Sequence, residues 1–358
     1  MVDLARALTE RGHEVHVALR SGSPLREKLA AALPEEKLLA LPLRNALDLG
    51  SALRLAQAVR ERRIEIVHAH MARDYPLAAL AMRRNPGARL ILTRHVLFPL
   101  KRLHALTLKR VARVIAVSEP VARALLSTGI FPAQKISVIP NGIDLERFSE
   151  LRSDENRASV CRAWQMKPER LLVGTLGELN PLKGQAEFLR AAALIREQFE
   201  ETEFIIAGAD ASRAGEHRAA LESLIERLNL RGRAHLIGWQ EDAAPLLNAL
   251  DVFVSASQTE SFGLAIVEAM AAGATVVATA TEGAMSIIED GQTGSLVPIG
   301  DAEALAASVI RLLSSRDERA RLSKLARAAA RERFSLERMV AATEQVYVEA
   351  LSDSSKSA

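Results

Sequence analysis

Short apolar runs alternate almost throughout the chain with longer stretches whose apolar positions recur every three or four residues. The short runs predict strands at His13–Ala18, Ile64–Ala69, Ala88–Thr93, Arg113–Val117 and Lys135–Ile139. After a polar stretch, Glu150–Arg157, they resume at Leu171–Leu176, Glu203–Ala207, Ala234–Ile237, Asp251–Ser255, Thr275–Ala278 and Gly294–Val297. Most are β-branched or leucine-rich, and all are too short for buried helices. The longer stretches predict helices, among them Leu47–Arg62, Gly184–Gln198, Gly215–Leu228 and Ala302–Leu313. Strand–helix alternation of this kind builds parallel sheets with helices on both faces. Two such series predict an α/β protein of two doubly wound, Rossmann-like domains, whose strand C-termini frame one ligand cleft. The expected division is residues 1–148 and 149–335, then a C-terminal helix over 336–350 packing back on the first domain. A disordered Ser-rich tail is expected over 351–358.

The N-terminus departs from this pattern. Asp3–Glu10 reads as the end of an amphipathic helix, and Arg11-Gly12-His13 as the turn into a strand. A doubly wound domain opens with a strand and a glycine-rich turn before such a helix. Losing a central first strand would leave its two neighbours unpaired. The expectation is that the chain starts inside the fold.

Composition narrows the class. With 358 residues, 49% hydrophobic and 25% charged, the chain has the make-up of a soluble globular protein of two domains. No apolar run approaches the ~18 residues of a membrane span, and no signal-peptide pattern is present. Cys161 is the only cysteine, which excludes an intrachain disulfide and a cysteine-based zinc site. The net charge of +3 is unevenly spread. Residues 1–150 hold 24 Lys and Arg against 14 Asp and Glu, and the remainder 23 against 30. A basic first half suggests an anionic partner.

The stretch QTESFGLAIVEAMAAG, from Gln258 to Gly273, follows the strand DVFVS. Ser261 is placed to cap a helix from about Phe262 to Ala272, ended by Gly273. Glu260 then lies in the loop before the helix and Glu268 within it. Phe262-Gly263-Leu264 is the expected first turn, where free amides and the positive end of the macrodipole favour an anion. Acids flanking a phosphate make sense if they accept hydrogen bonds from hydroxyls on either side of it. A sugar nucleotide is such a ligand.

This stretch resembles the E-x7-E motif of retaining glycosyltransferases of family 4, which have the two-domain GT-B fold. Val173–Gly184 (VGTLGELNPLKG) is similar to the family's strand, glycine and Lys-Gly loop, and Val138–Asp144 (VIPNGID) to a stretch closing the first domain's sheet. Ile206–Asp210, Gly238-Trp239, Glu282-Gly283 and Asp290–Gly294 are similar to the family's later strand ends and loops. The resemblance implies a cytoplasmic, metal-independent transferase without cofactor, using a nucleotide-diphosphate sugar as donor, in bacterial cell-surface glycan synthesis. It makes Glu260 the contact to the sugar, Glu268 to the ribose and Lys183 to the diphosphate. His95, ending LILTRH, would lie near the donor sugar, and Gly177, Glu178, Ser261, Phe262, Gly263, Leu264 and Asn141 would bind donor. The first domain would bind a glycan or lipid-linked acceptor, and the second the sugar nucleotide.

Two departures stand out: the absent first strand and glycine-rich loop, and Glu178, where the family often has an arginine. Arg94 and Arg73 are candidate compensating cations. The basic segment Phe98–Arg113 (FPLKRLHALTLKRVAR) is a candidate contact to an anionic membrane, which would place the protein peripherally on the inner face of the cytoplasmic membrane. Its lack of interleaved Trp or Tyr argues against nucleic acid as a partner. His68 and His70 alternate on one strand without a third ligand at suitable spacing for a metal. Three other readings stay open: a sugar-nucleotide 2-epimerase of the same fold, a non-catalytic sugar-nucleotide or lipid-binding module, and a DNA-modifying glycosyltransferase, suggested only by the basic first domain.

Overall fold

The computed structural model describes residues 1–46, 48–100, 104–149 and 153–352. The chain divides into two compact units, Met1–Gly142 with the C-terminal residues from Leu336, and Ile143–Ser335. Unit 1 contains a two-stranded parallel sheet, β1 (Val17–Arg20) with β2 (Leu38–Leu41). Its second sheet has four parallel strands in the order β3 (Ile66–Ala69), β4 (Arg89–Arg94), β5 (Val111–Ala116) and β6 (Ile136–Val138). Unit 2 has one parallel sheet of six strands: β7 (Leu172–Leu176), β8 (Glu203–Ala207), β9 (Ala234–Gly238), β10 (Val252–Ser255), β11 (Thr275–Thr279) and β12 (Ser295–Val297). Their spatial order is β12-β11-β10-β7-β8-β9, so the order reverses beside β7, where a doubly wound sheet opens its ligand crevice.

Every strand anticipated from the apolar runs is present, within a few residues. The added strand is β2, in a leucine-rich run without alternation. It forms because Leu38 and Leu41 are buried while the backbone pairs with β1 in register, Val17 opposite Leu38. Helix starts follow the local capping chemistry. Asp48 accepts from the Ser51 amide at 3.1 Å, and Asp301 from the Ala304 amide at 2.8 Å. Ser315 accepts from the Glu318 amide at 3.2 Å, opening the Arg316–Arg333 helix.

The core of unit 2 is continuous, with Val173, Phe204, Ile206, Val252, Val254 and Val277 meeting Phe188, Leu189, Val309 and Leu312 from the covering helices. In unit 1, Ile91, Ile115 and Ile139 pack against Val346 and Ala350 of the Leu336–Ser352 helix. Leu4 and Leu8 pack against Val340 of that same helix.

Two expectations require correction, and one candidate segment is divided. The helix after β10 begins at Leu264 with Gly263 as its cap, so Phe262 lies outside it and Ser261 does not cap it. Phe98–Arg113 is not one element. Only His104–Thr107 is helical, Val111–Arg113 already belongs to β5, and residues 101–103 lie outside the described residues. Leu351 and Ser352 are helical rather than part of a tail, while residues 353–358 lie outside the described residues.

Candidate functional site

β7 and β10 are neighbours in the unit 2 sheet, so the loops leaving their C-terminal ends are neighbours too. The β7 loop carries Gly177, Glu178 and Lys183, and the β10 loop carries Ser257, Glu260 and Ser261. Lys183 Nζ donates to Glu260 Oε1 at 2.5 Å, and Ser257 Oγ donates to the same oxygen at 2.9 Å. The Lys183 and Glu260 side chains are 32% and 15% exposed, so the pair is partly sheltered yet reachable.

The backbone around this pair is tightly determined. Gly184 has φ +67, and a Cβ there would lie 1.9 Å from the Ala256 carbonyl oxygen, so only glycine lets the Lys183 loop approach β10 this closely. The Gly283 amide donates to the Glu260 carbonyl at 3.1 Å, and the Thr279 hydroxyl to the Ser257 carbonyl at 2.5 Å, fixing the acid loop from β11. Phe262 is buried and meets Phe334 edge to face, with ring centroids 5.7 Å apart. Gly263 has φ +107, a left-handed backbone that opens the Leu264–Ala272 helix without a side-chain cap. That helix start leaves amides without side-chain partners at its positive end, in the loop that holds Glu260. Glu268 lies one turn further in and is half-buried.

The remaining residues singled out from the sequence fall as follows. Glu178 is exposed, and its carbonyl accepts from the Gln185 side-chain amide at 2.9 Å. Asp210, after β8, is committed to capping. It accepts from the Ser212 and Arg218 amides, each at 2.7 Å, and these bonds, with the Ser212 side chain first, hold its pKa at about 2. Asn141 and His95 belong to unit 1, where Asn141 follows β6 and His95 follows β4. Arg94 is buried and donates to the Phe98 carbonyl, and Arg73 pairs with Asp74 at 3.2 Å.

Unit 1 holds a row of imidazoles. His70 Nδ1 lies 3.3 Å from His95 Nε2, and the His68 and His70 ring centroids are 4.2 Å apart. His68 is bonded on both nitrogens, to Tyr347 Oη at 2.7 Å and Thr93 Oγ1 at 2.6 Å. Burial lowers all three pKa values, to about 3 for His68 and about 4 for His95. The row is therefore neutral near pH ~7. Among the described residues no group of three or more His, Cys, Asp or Glu is placed to hold a metal ion.

Ser257 and Gln185 escaped the sequence reading. Ser257 stands three residues before Glu260, the one local signal that could have paired them. Gln185 follows the Lys-Gly turn as an apparently ordinary helix residue.

Comparison with known proteins agrees with this geometry. The family model of glycosyl transferases group 1 matches residues 160–329, and that of glycosyltransferase family 4 matches residues 1–147. The D-inositol 3-phosphate glycosyltransferase of Salinispora arenicola is 30% identical over 311 residues, which span 80% of this chain and 69% of that protein. The N-acetyl-alpha-D-glucosaminyl L-malate synthase of Bacillus anthracis is 23% identical over 376 residues, 98% of this chain and 93% of that one. The solved structure of Anabaena HepE in complex with UDP and glucose superposes with a TM-score of 0.86 at 23% identity, covering 97% of this chain and 94% of the other. On these matches the chain belongs to the family 4 glycosyltransferases, of the GT-B fold.

Proposed function

We propose that this glycosyltransferase moves a sugar from a nucleoside-diphosphate sugar to a hydroxyl of a glycan or lipid-linked acceptor, with retention of anomeric configuration. The observation that carries the reading is the Lys183–Glu260 contact in the loop that opens a helix at Gly263. In the resting site each charge neutralises the other. An arriving diphosphate competes for Lys183 and for the amides at the helix start. Glu260 is then released to accept from hydroxyls of the donor sugar, with Ser257 holding its orientation. Glu268 is the acceptor for the ribose hydroxyls. The first unit is assigned the acceptor.

The C1–O bond to the diphosphate breaks through an oxocarbenium-like state, and the acceptor oxygen bonds to C1 on the same face. The departing phosphate oxygen takes the acceptor's proton. Lys183 and the helix amides stabilise the charge that develops on it. Glu260, oriented by Ser257, is engaged with hydroxyls of the sugar in this scheme, which favours the route over a covalent glycosyl intermediate. No metal enters the proposed reaction, and turnover is expected to persist in a chelator.

Uridine is the base to test first, because HepE is described with UDP. The acceptors in the relatives' names, an inositol phosphate and a malate, are small hydroxylated anions and suit the basic first half of this chain. Exposed Phe98 and Leu106, beside exposed Lys109 and Arg110, offer a membrane contact in a cytoplasmic setting such as bacterial cell-surface glycan assembly. The test is product analysis with UDP-sugars, with and without acceptor, reading the anomeric configuration by NMR. Acceptor-dependent product of unchanged configuration supports the proposal. Nucleotide release with epimerised sugar and no acceptor, or inverted product, overturns it.

A further inference from the structure

Unit 2 has a second charged site at the opposite end of its sheet from Lys183 and Glu260. There, Leu171, Asp251 and Thr275 at the N-terminal ends of β7, β10 and β11 border a cavity of about 1140 Å3. Its far wall is the Arg316–Arg333 helix, which presents Arg316, Lys324, Arg327 and Arg331 to it. The opposite face of that helix is apolar, with Leu322, Ala326 and Ala330 buried in unit 2. Ala320 and Ala328 lie among the cations on the lining face, and their small side chains leave the space open.

The charges around this cavity do not balance. Arg157 is fully employed, donating to the carbonyls of Pro168 at 2.7 Å, Ala249 at 2.6 Å and Arg170, and to Asp251 at 3.0 Å. Asp251 also accepts from the Leu172 amide at 2.9 Å. Arg319 is bound to the carbonyls of Leu312 and Leu313, at 2.7 and 2.8 Å. By contrast, the side chains of Arg316, Lys324, Arg327 and Arg331 make no hydrogen bond or ion pair with any described residue. Asp154 and Glu169 also line the cavity and pair with none of these four. Arg327 is half-buried, and burial, then the neighbouring Arg331, lowers its pKa. A guanidinium that is partly desolvated beside a second one, with no anion between them, raises the energy of the empty site.

We propose that this cavity is a second anion site, separate from the transfer site, for a ligand carrying two or more linked phosphate groups. Arg327 and Arg331 stand one turn apart, and Lys324 and Arg331 span about 10 Å of helix axis. One phosphate cannot reach all three cations, whereas a chain of two or three can. Planar guanidinium groups bind phosphate oxygens in pairs and remain charged at any physiological pH. The ligand is either a soluble polyphosphorylated metabolite or the bisphosphate headgroup of a membrane lipid.

Calorimetric titration of the full chain with sodium tripolyphosphate tests the site, in a Lys183→Ala background so that the transfer site contributes little. Arg327→Gln with Arg331→Gln is expected to weaken binding at least about tenfold for each arginine. Arg327→Lys with Arg331→Lys retains more of it, separating loss of charge from loss of fold, which circular dichroism also checks. Absence of binding in the Lys183→Ala background, or equal affinity in the glutamine variant, overturns the proposal. The two sources are distinguished by sedimentation with phosphatidylcholine vesicles containing cardiolipin. Sedimentation of the chain with Arg327 and Arg331 intact, but not of the glutamine variant, assigns the site to a lipid headgroup. Tripolyphosphate binding without sedimentation assigns it to a soluble ligand.

Discussion

At the scale of single residues, the proposed transfer site rests on a cation and an acid 77 positions apart that the fold brings to 2.5 Å. Both could be picked from the sequence by residue type and motif, Glu260 as the acid before a helix and Lys183 before a glycine. Their partnership could not, because it follows from β7 and β10 being adjacent strands rather than from any local spacing. Lys183→Ala and Glu260→Ala are each expected to lower kcat about 10²–10³-fold, the usual loss when a charge-stabilising group is removed. Because donor binding parts the pair, Lys183 then serving the diphosphate and Glu260 the sugar, the double variant should lose close to the product of the single losses. Steady-state kinetics of all three variants check this, and a double variant no worse than either single one would show that the two act only through their mutual contact. Glu178 needs no compensating arginine from Arg94 or Arg73 to be tolerated in the fold: it is exposed, and its structural contact is made by its carbonyl.

At the scale of elements, the corrections share a cause. A serine before an apolar helical run is a sound cap signal, yet the left-handed turn at Gly263 displaces the helix start past Ser261. What sets that turn is packing, since Phe262 must reach Phe334 and the helix must carry the chain from the end of β10 back to the start of β11. Gly263→Ala would hold a side chain at φ +107 with its Cβ 3.0 Å from Ile266 Cδ1. The expected cost is about 1–3 kcal/mol, seen as a lower midpoint in denaturant unfolding, with weakened donor binding as the helix start shifts. Phe98–Arg113, the candidate membrane contact, is divided between elements. Its apolar residues match helical spacing over a short window, but Leu108 and Val111 are buried by the sheet and the backbone turns into β5. Periodicity over so few residues does not separate a short helix plus a strand from one amphipathic helix.

At the scale of the whole molecule, the two units respond to different agents. A nucleoside diphosphate that binds only folded unit 2 should stabilise it by about 2.7 kcal/mol at a hundredfold excess over Kd. Thermal unfolding with UDP checks this, and an unmoved transition counts against the donor assignment. Unit 1 should respond to acid through His68, His70 and His95, whose folded pKa values lie below those of the unfolded chain. The unfolded chain then binds more protons between pH ~6.5 and ~3, so stability is complete above that window and is lost as pH falls through it. Each histidine contributes at most about 1.4 kcal/mol per pH unit, and His68→Gln should reduce the slope of stability against pH. By itself the sequence determined the α/β class, nearly all the strands, the division into two α/β units and the acid, lysine and glycine of the proposed donor site, since these depend on local periodicity and short motifs. Only the tertiary structure decided which loops meet and where the binding helix begins. It alone also paired His68 with Tyr347 across 279 positions and left Arg316, Lys324, Arg327 and Arg331 without side-chain partners among the described residues. Those features depend on strand order and on packing between segments distant in the chain, and no local pattern of residues encodes either.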